Sequence, residues 1–296
     1  MLVILKGGMG RVNFARFLQA SLDPFLAQIS PSKGTRYSSF MSSSDILVIL
    51  PTLGDRLDTL RESLESIEQQ RGDVHLTLAL VVPAGATEAR ALGEEFGALL
   101  VDDPREGISA AINYGLAARH GEKYYAWIGD DDLFRPGGLK CLTRMMEADA
   151  KAVLAYGACD YIDVSGTTLA VSNAGALAKW LLAWGPNLIP HPGTLIRLDA
   201  LEAIGGFDVE LKYSMDLDAF LKLRRFGRFI STRVPVSAFR WHPDSLTVSS
   251  RLSSSLESEA VKRSHLPAAL RPVSILWSYP IRWASAFAAR RVSARA

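Results

Sequence analysis

Ile46-Leu-Val-Ile-Leu50 is five apolar residues without a polar break, the pattern of a strand buried on both faces. Leu57, Leu60, Leu64 and Ile67 follow at helical spacing and predict a helix between Asp58 and Gln70. Leu76–Val82 reads as a second buried strand, Thr87–Phe96 as a helix, Ala98–Val101 as a third strand and Ile108–Arg119 as a third helix. Tyr124–Ile128 is a fourth strand, ending at Gly129-Asp-Asp-Asp132. This alternation implies βαβ units, a largely parallel sheet and an α/β fold. Ligands of such sheets bind beyond the carboxyl ends of the strands, where the acidic cluster falls.

Outward from that core the pattern is less regular. Val153–Tyr161 and Thr168–Val171 read as strands forming a hairpin across Asp163–Thr167. Leu198–Ile204 and Leu217–Phe226 read as short helices, and Phe229–Phe239 as a strand. Residues 1–44 end in a Ser-rich stretch without apolar period, the composition of a linker or disordered extension, and Met41 is a candidate start. After Arg251 the apolar pattern weakens, so 252–296 reads as a Ser-rich linker and a basic amphipathic tail. The folded domain is expected over 45–251.

The 296 residues are 48% hydrophobic and 22% charged, which excludes a wholly disordered or fibrous chain. A formal charge of +2 argues against a nucleic-acid partner. Cys141 and Cys159, the only cysteines, form no CxxC pair, so the expectation is two reduced thiols in a cytoplasmic protein. No segment reaches the ~18 consecutive apolar residues of a spanning helix. The stretch Leu266–Ala296 mixes Arg271, Arg282, Arg290, Arg291 and Arg295 with Trp277, Tyr279, Trp283 and Phe287, and holds no acid. That mixture suits the headgroup layer of a membrane and makes peripheral attachment the expectation for the tail. A helix packed on the domain is the plainer alternative.

Trp127-Ile-Gly-Asp-Asp-Asp-Leu-Phe-Arg-Pro-Gly-Gly138 carries the strongest chemical signal. Three adjacent carboxylates repel one another, and Mg²⁺ or Mn²⁺, which favour hard oxygen ligands, relieve that cost. In an extended segment Asp130 and Asp132 point the same way and Asp131 the opposite way. A solvated acidic turn capping a helix near Pro136 is the structural alternative.

Residues 46–248 resemble a family 2 glycosyltransferase of the GT-A fold. Ile49-Leu-Pro-Thr52 is similar to the family's strand-then-Pro-Thr approach to the donor nucleotide. Gly107-Ile-Ser-Ala-Ala-Ile-Asn-Tyr-Gly115, then Gly121 and the strand to Asp132, resembles its glycine-isoleucine-serine-to-Asp-Asp segment. His191-Pro-Gly-Thr-Leu-Ile-Arg197 and Gly205-Gly-Phe-Asp-Val-Glu-Leu211 look like the acceptor side. Tyr213-Ser-Met-Asp-Leu-Asp-Ala-Phe-Leu-Lys-Leu223 looks like the segment that supplies the base. The resemblance implies a GT-A-type single domain with a mostly parallel, Rossmann-like nucleotide-binding sheet flanked by helices.

The resemblance also implies roles. Asp130 and Asp132 are the expected metal pair, with His242 from a loop that closes over the diphosphate. Pro51, Thr52, Asn113, Asp130 and Asp131 are expected at the nucleotide-sugar donor. Asp216 is the expected base, and His191 and Asp218 are expected on the acceptor side. A helix-start carboxylate after an N-cap at Ser214 is the structural reading of Asp216. The implied reaction is metal-dependent, inverting transfer to a glycan or lipid-linked acceptor, on the cytoplasmic side. The sequence departs from the family in Val81-Val-Pro-Ala-Gly-Ala-Thr87, which has no carboxylate until Glu88. It departs also at Arg105, Ala110 and Met215, where relatives often carry acids. Two rivals remain: a degenerate sugar- or protein-binding module, and a nucleotidyltransferase. The second needs a Gly-rich basic loop that Leu50-Pro-Thr-Leu-Gly-Asp-Arg56 barely supplies.

Overall fold

The computed structural model describes residues 45–172, 175–241 and 251–274. Its first strand, β1 (Ile46–Pro51), is wholly buried. Alternation divides its side chains between two cores: Leu47 and Ile49 enter one, Ile46, Val48 and Leu50 the other. A strand with helices on both faces needs apolar residues at every position, which is why the run is unbroken.

Helix α1 (Leu57–Glu68), β2 (Leu76–Val82), α2 (Thr87–Glu95), β3 (Leu99–Asp102), α3 (Ile108–Ala117) and β4 (Tyr124–Trp127) follow in the expected order. Next come β5 (Leu133–Phe134), α4 (Gly138–Ala148), β6 (Ala152–Ile162), β7 (Thr168–Ser172), α5 (Ala178–Leu181), β8 (Thr194–Arg197) and α6 (Leu198–Ala203). Helix α7 (Met215–Leu223), β9 (Arg228–Arg240) and α8 (Arg251–His265) complete the described elements. The sheet runs β3-β2-β1-β4-β8-β6-β9-β5, with β7 on β6. Strands β3, β2, β1 and β4 are parallel. Beyond β4 the sheet is mixed, with β8 antiparallel to β4 and β6, and β9 parallel to β6.

Strand β1 lies between β2 and β4, so successive connections leave it toward opposite sides of the sheet. A topological switch of this kind opens a crevice at the strand ends, here beside Thr52 and the turn after Trp127.

Two expectations are corrected, and one segment without a predicted element takes shape as a strand. The segment after Arg251, read as a Ser-rich linker, is in part a 15-residue helix, α8. It packs on α7 through buried Val261 and the polar contacts described below. The stretch around Thr194 forms β8 inside the sheet, where Ile196 pairs with both Tyr125 and Leu154. Residues 129–132 make a turn closed by Asp132 N–H to Gly129 C=O (3.3 Å), so the carboxylates do not alternate as in a strand. The expectations for 1–44, for His242 and for 275–296 lie outside the described residues. Among the described residues no helix is long and apolar enough to cross a membrane.

Candidate active site

Thr52 follows β1, and its Oγ1 donates to Asp130 Oδ2 at 2.6 Å while accepting Gly54 N–H at 3.0 Å. The hydroxyl joins the ends of β1 and β4 across the switch point. Pro51, the last residue of β1, is buried beside it. Arg56 reaches back with Nη1 at 2.8 Å from Asp131 Oδ2 and 4.0 Å from Asp130 Oδ1. Asp132 lies deeper, 1% exposed, with Oδ1 accepting the backbone N–H of Arg240 at 3.0 Å. The Arg240 guanidinium is itself buried and donates to Asp131 C=O (2.9 Å), Val164 C=O (2.8 Å) and Glu62. It fastens the turn to β9.

The electrostatics of the turn are unbalanced. Burial, then the charge of Asp131, raises the Asp130 carboxyl above the usual range despite the Thr52 hydrogen bond. Burial and the Asp131 charge push Asp132 well above it. A Cβ on Gly129 would lie 3.1 Å from Asp131 Oδ1 and 3.2 Å from Asp132 Oδ2, so those two oxygens flank Gly129 while Asp130 turns to Thr52. An acceptor-only oxygen set of three carboxylates, with Arg56 as the one cation paired to its outer two, fits a hard divalent cation. Among the described residues no three His, Cys, Asp or Glu side chains form a metal-holding group by themselves.

Asp216 stands in the first turn of α7, half-buried. Asn187 Nδ2 donates to its Oδ2 at 2.9 Å and Leu217 N–H to its Oδ1 at 2.7 Å. Burial outweighs both bonds and raises its pKa to about 6. Ser214 does not cap α7 through its side chain; its Oγ meets Ser258 Oγ at 2.7 Å. The helix start is instead held by Glu257 of α8, which accepts the backbone N–H groups of Lys212 (3.1 Å), Tyr213 (2.7 Å) and Ser214 (2.7 Å).

Three other expected residues are engaged with neighbouring elements of the fold. Asn113 uses both ends of its amide on Phe207, donating to its C=O at 2.7 Å and accepting its N–H at 2.9 Å. It locks α3 to the turn at Gly206. Asp218 is buried against α8, pairing with His265 Nε2 (2.7 Å) and Lys222 Nζ (2.6 Å). Burial opposes its ionisation, but those two partners hold its pKa below the usual value. It pins α8. His191 is 6% exposed, stacked on Trp127 at 4.6 Å, with Nε2 3.2 Å from Tyr125 OH. Burial pushes its pKa down to about 3, so it is a neutral aromatic support behind β4.

The sequence reading passed over Arg56, Asn187, Arg240 and Glu257. Arg56 had a signal, being the only cation in the loop after β1. The departure at Ala110 has a structural reason: the residue is 3% exposed inside α3, where a carboxylate would be buried.

Residues 47–187 match the family described as Glycosyl transferase family 2. They form a family 2 glycosyltransferase domain. The enzyme class is therefore glycosyltransferase, and the mixed α/β sheet is of the GT-A type. No curated protein matches the sequence. Among solved structures the domain resembles residues 1–349 of S. aureus TarS (TM-score 0.56, 13% identity, 77% of this chain and 68% of that one). It also resembles the mannosyltransferase PcManGT from Pyrobaculum calidifontis, solved with GDP-Man and Mn²⁺ (0.58, 18%, 95% and 84%). A third is glucosyl-3-phosphoglycerate synthase from Mycobacterium tuberculosis, with Mn²⁺, UDP and phosphoglyceric acid (0.54, 17%, 75% and 78%). At these identities the likeness is one of fold.

Proposed function

We propose that this chain transfers a sugar, with inversion, from a nucleotide-sugar donor to an acceptor hydroxyl in a reaction that depends on Mg²⁺ or Mn²⁺. The observation that carries the reading is a division of labour between carboxylates. Three stand in one turn at the switch point; a fourth, Asp216, sits apart on α7 with its pKa raised to about 6. Asp130 and Asp131 offer the reachable oxygens, each side chain 16% exposed, and Asp132 supports them from beneath. A cation held there would neutralise charge on the departing nucleoside diphosphate. Thr52 orients Asp130, and Arg56 adds a second positive group at the same edge.

Asp216 acts as general base. A carboxylate with a pKa about 6 is ionised at neutral pH yet is a better proton acceptor than an ordinary aspartate. It takes the acceptor's hydroxyl proton as the oxygen attacks the anomeric carbon. The bond to the diphosphate breaks on the opposite side, and the electron pair leaves with the nucleotide. The ligands of the similar structures, GDP-Man with Mn²⁺ and UDP with Mn²⁺, make guanosine and uridine diphosphate sugars the first donors to test. The acceptor class is a glycan or a lipid-linked sugar, used at the cytoplasmic face in cell-surface glycan assembly.

The alternative, a binding module without turnover, is favoured by one feature: the loop after β2 has no carboxylate to meet a donor base. A screen of nucleotide-sugars by thermal shift with Mn²⁺, followed by an assay for released nucleoside diphosphate, separates the two. Stabilisation without Mn²⁺- or Mg²⁺-dependent release supports the module and overturns the enzyme reading.

A further inference from the structure

Helix α7 carries Asp216 in its first turn and meets Arg224 and Arg225 just past its end, about 12 Å further along at 1.5 Å per residue. There a groove of about 270 Å³ runs between the end of α7, α8 and the turn after α5. Arg224 and Arg225 line it from one side and Lys262 and His265 from the other, and no aspartate or glutamate is among its lining residues. Leu221 and Leu266, each 6% exposed, add an apolar wall.

The positive charge of this groove is poorly answered. Arg224 and Arg225 are exposed and make no ion pair among the described residues. Lys262 is half-buried, and its ammonium donates at 2.5 Å to a neutral partner, the Gly185 C=O. Burial lowers its pKa, and Glu259, one turn earlier on α8, offsets only part of that. A desolvated cation held by a carbonyl alone keeps much of its burial cost. Asp218, behind His265, does not help, because His265 Nε2 (2.7 Å) and Lys222 Nζ (2.6 Å) already pair with it.

Guanidinium forks match the oxygens of a phosphate, and a lysine adds a point charge to the same group. The leucine wall beside the cations suits an organic body attached to that phosphate better than a bare ion. The volume admits such a body, being just under the usual size of small-molecule sites.

We infer that this groove binds a phosphomonoester with an apolar body, held by Arg224 and Arg225 after α7 and by Lys262 of α8. Helix α8 also gives Glu257 to the start of α7, so an occupant would tie both ends of α7 to one helix. The groove lies at the opposite end of α7 from Asp216, and its occupancy does not presuppose the transfer reaction.

The test uses the full-length chain, with calorimetry and thermal shift. Phenyl phosphate and inorganic phosphate are the soluble probes, and phosphatidic acid vesicles present the same ester on a lipid. Phenyl phosphate is expected to bind about tenfold or more tightly than inorganic phosphate, and to raise the melting midpoint. Arg224→Gln with Arg225→Gln should weaken that binding by about tenfold or more. Both positions are exposed, and a parent-like melting midpoint without ligand would confirm a folded variant. Arg56→Gln should leave phenyl phosphate affinity unchanged; a loss there would place the ester at the acidic turn and overturn the inference. Binding to the vesicles alone, lost in the double arginine variant, would identify the lipid form of the ester and support the site. No binding of any probe overturns the inference, as do equal affinities for the two soluble probes. A double arginine variant that binds like the parent overturns it too, since the ester then lies elsewhere.

Discussion

The carboxylate of Glu257 accepts the backbone N–H of Ser214 at 2.7 Å, so a residue of α8 sets the start of the helix that bears Asp216. With the Lys212 and Tyr213 amides, it gathers three consecutive backbone donors on the approach to the helix, ending at its N-cap residue. Its charge also contributes to raising the pKa of Asp216. Glu257→Gln should cost about 1–2 kcal/mol of stability in urea unfolding. It should also lower kcat with little change in donor affinity. Removing the charge moves the acid limb of the rate profile to lower pH, which a purely structural role would leave in place.

Asn187 acts in the opposite sense. Its amide donates to the Asp216 carboxylate and favours the ionised form, against the burial that raises the pKa to about 6. The parent's kcat/KM should fall tenfold per unit as pH drops below about 6. Asn187→Ala should shift that limb upward by about half a unit to one unit, so the variant loses rate at pH 6 and recovers at pH 8. A raised folded pKa also means that Asp216 contributes stability below the ordinary carboxylate range, lost as pH rises through about 6. A limb unmoved in both variants would show that Asp216 is not the group being titrated.

What the sequence made legible follows from how local each signal is. Strand β1 announces itself because all its side chains are apolar, and the acidic turn because three carboxylates are adjacent. Strand β8 has four residues and is a strand only because β4 and β6 enclose it. Helix α8 was hidden for a different reason: it meets α7 largely through Glu257, Ser258 and His265, while Leu252 and Leu256 face outward, 67% and 50% exposed. A polar interface leaves no apolar period to read. Site partners are equally remote in sequence. Arg56 and Asp131 are 75 positions apart, Asn187 and Asp216 are 29, and Ser214 and Glu257 are 43. Spacing rules reach a few residues, so only the folded chain brings these pairs together.

Asp131 separates the metal reading from a structural acidic turn. Asp131→Asn keeps the side chain's size and removes one of the two reachable carboxylates. The fold should be retained, since Arg240 holds the Asp131 main-chain oxygen rather than its side chain. Calorimetry with UDP or GDP should show the Mn²⁺-dependent part of binding lost, because too few protein oxygens remain to hold the ion against water. Undiminished Mn²⁺-dependent affinity would place the cation elsewhere.

Asn113 and Gly206 give the last test, which distinguishes a structural amide from a donor contact. Gly206 has φ +75°, and a Cβ there would come within 2.7 Å of Asn113 Oδ1. Gly206→Ala therefore meets both backbone strain and a clash with the side chain that holds Phe207. It should destabilise by roughly 1–3 kcal/mol. Asn113→Ala leaves the Phe207 amide and carbonyl without their partner and should cost about the same. The two losses share one set of bonds, so in urea unfolding the double variant should fall short of their sum by about 0.5 kcal/mol or more. Nucleotide affinity in the folded Asn113→Ala protein should stay near the parent's. Weakened affinity with parent-like stability would return Asn113 to the donor site.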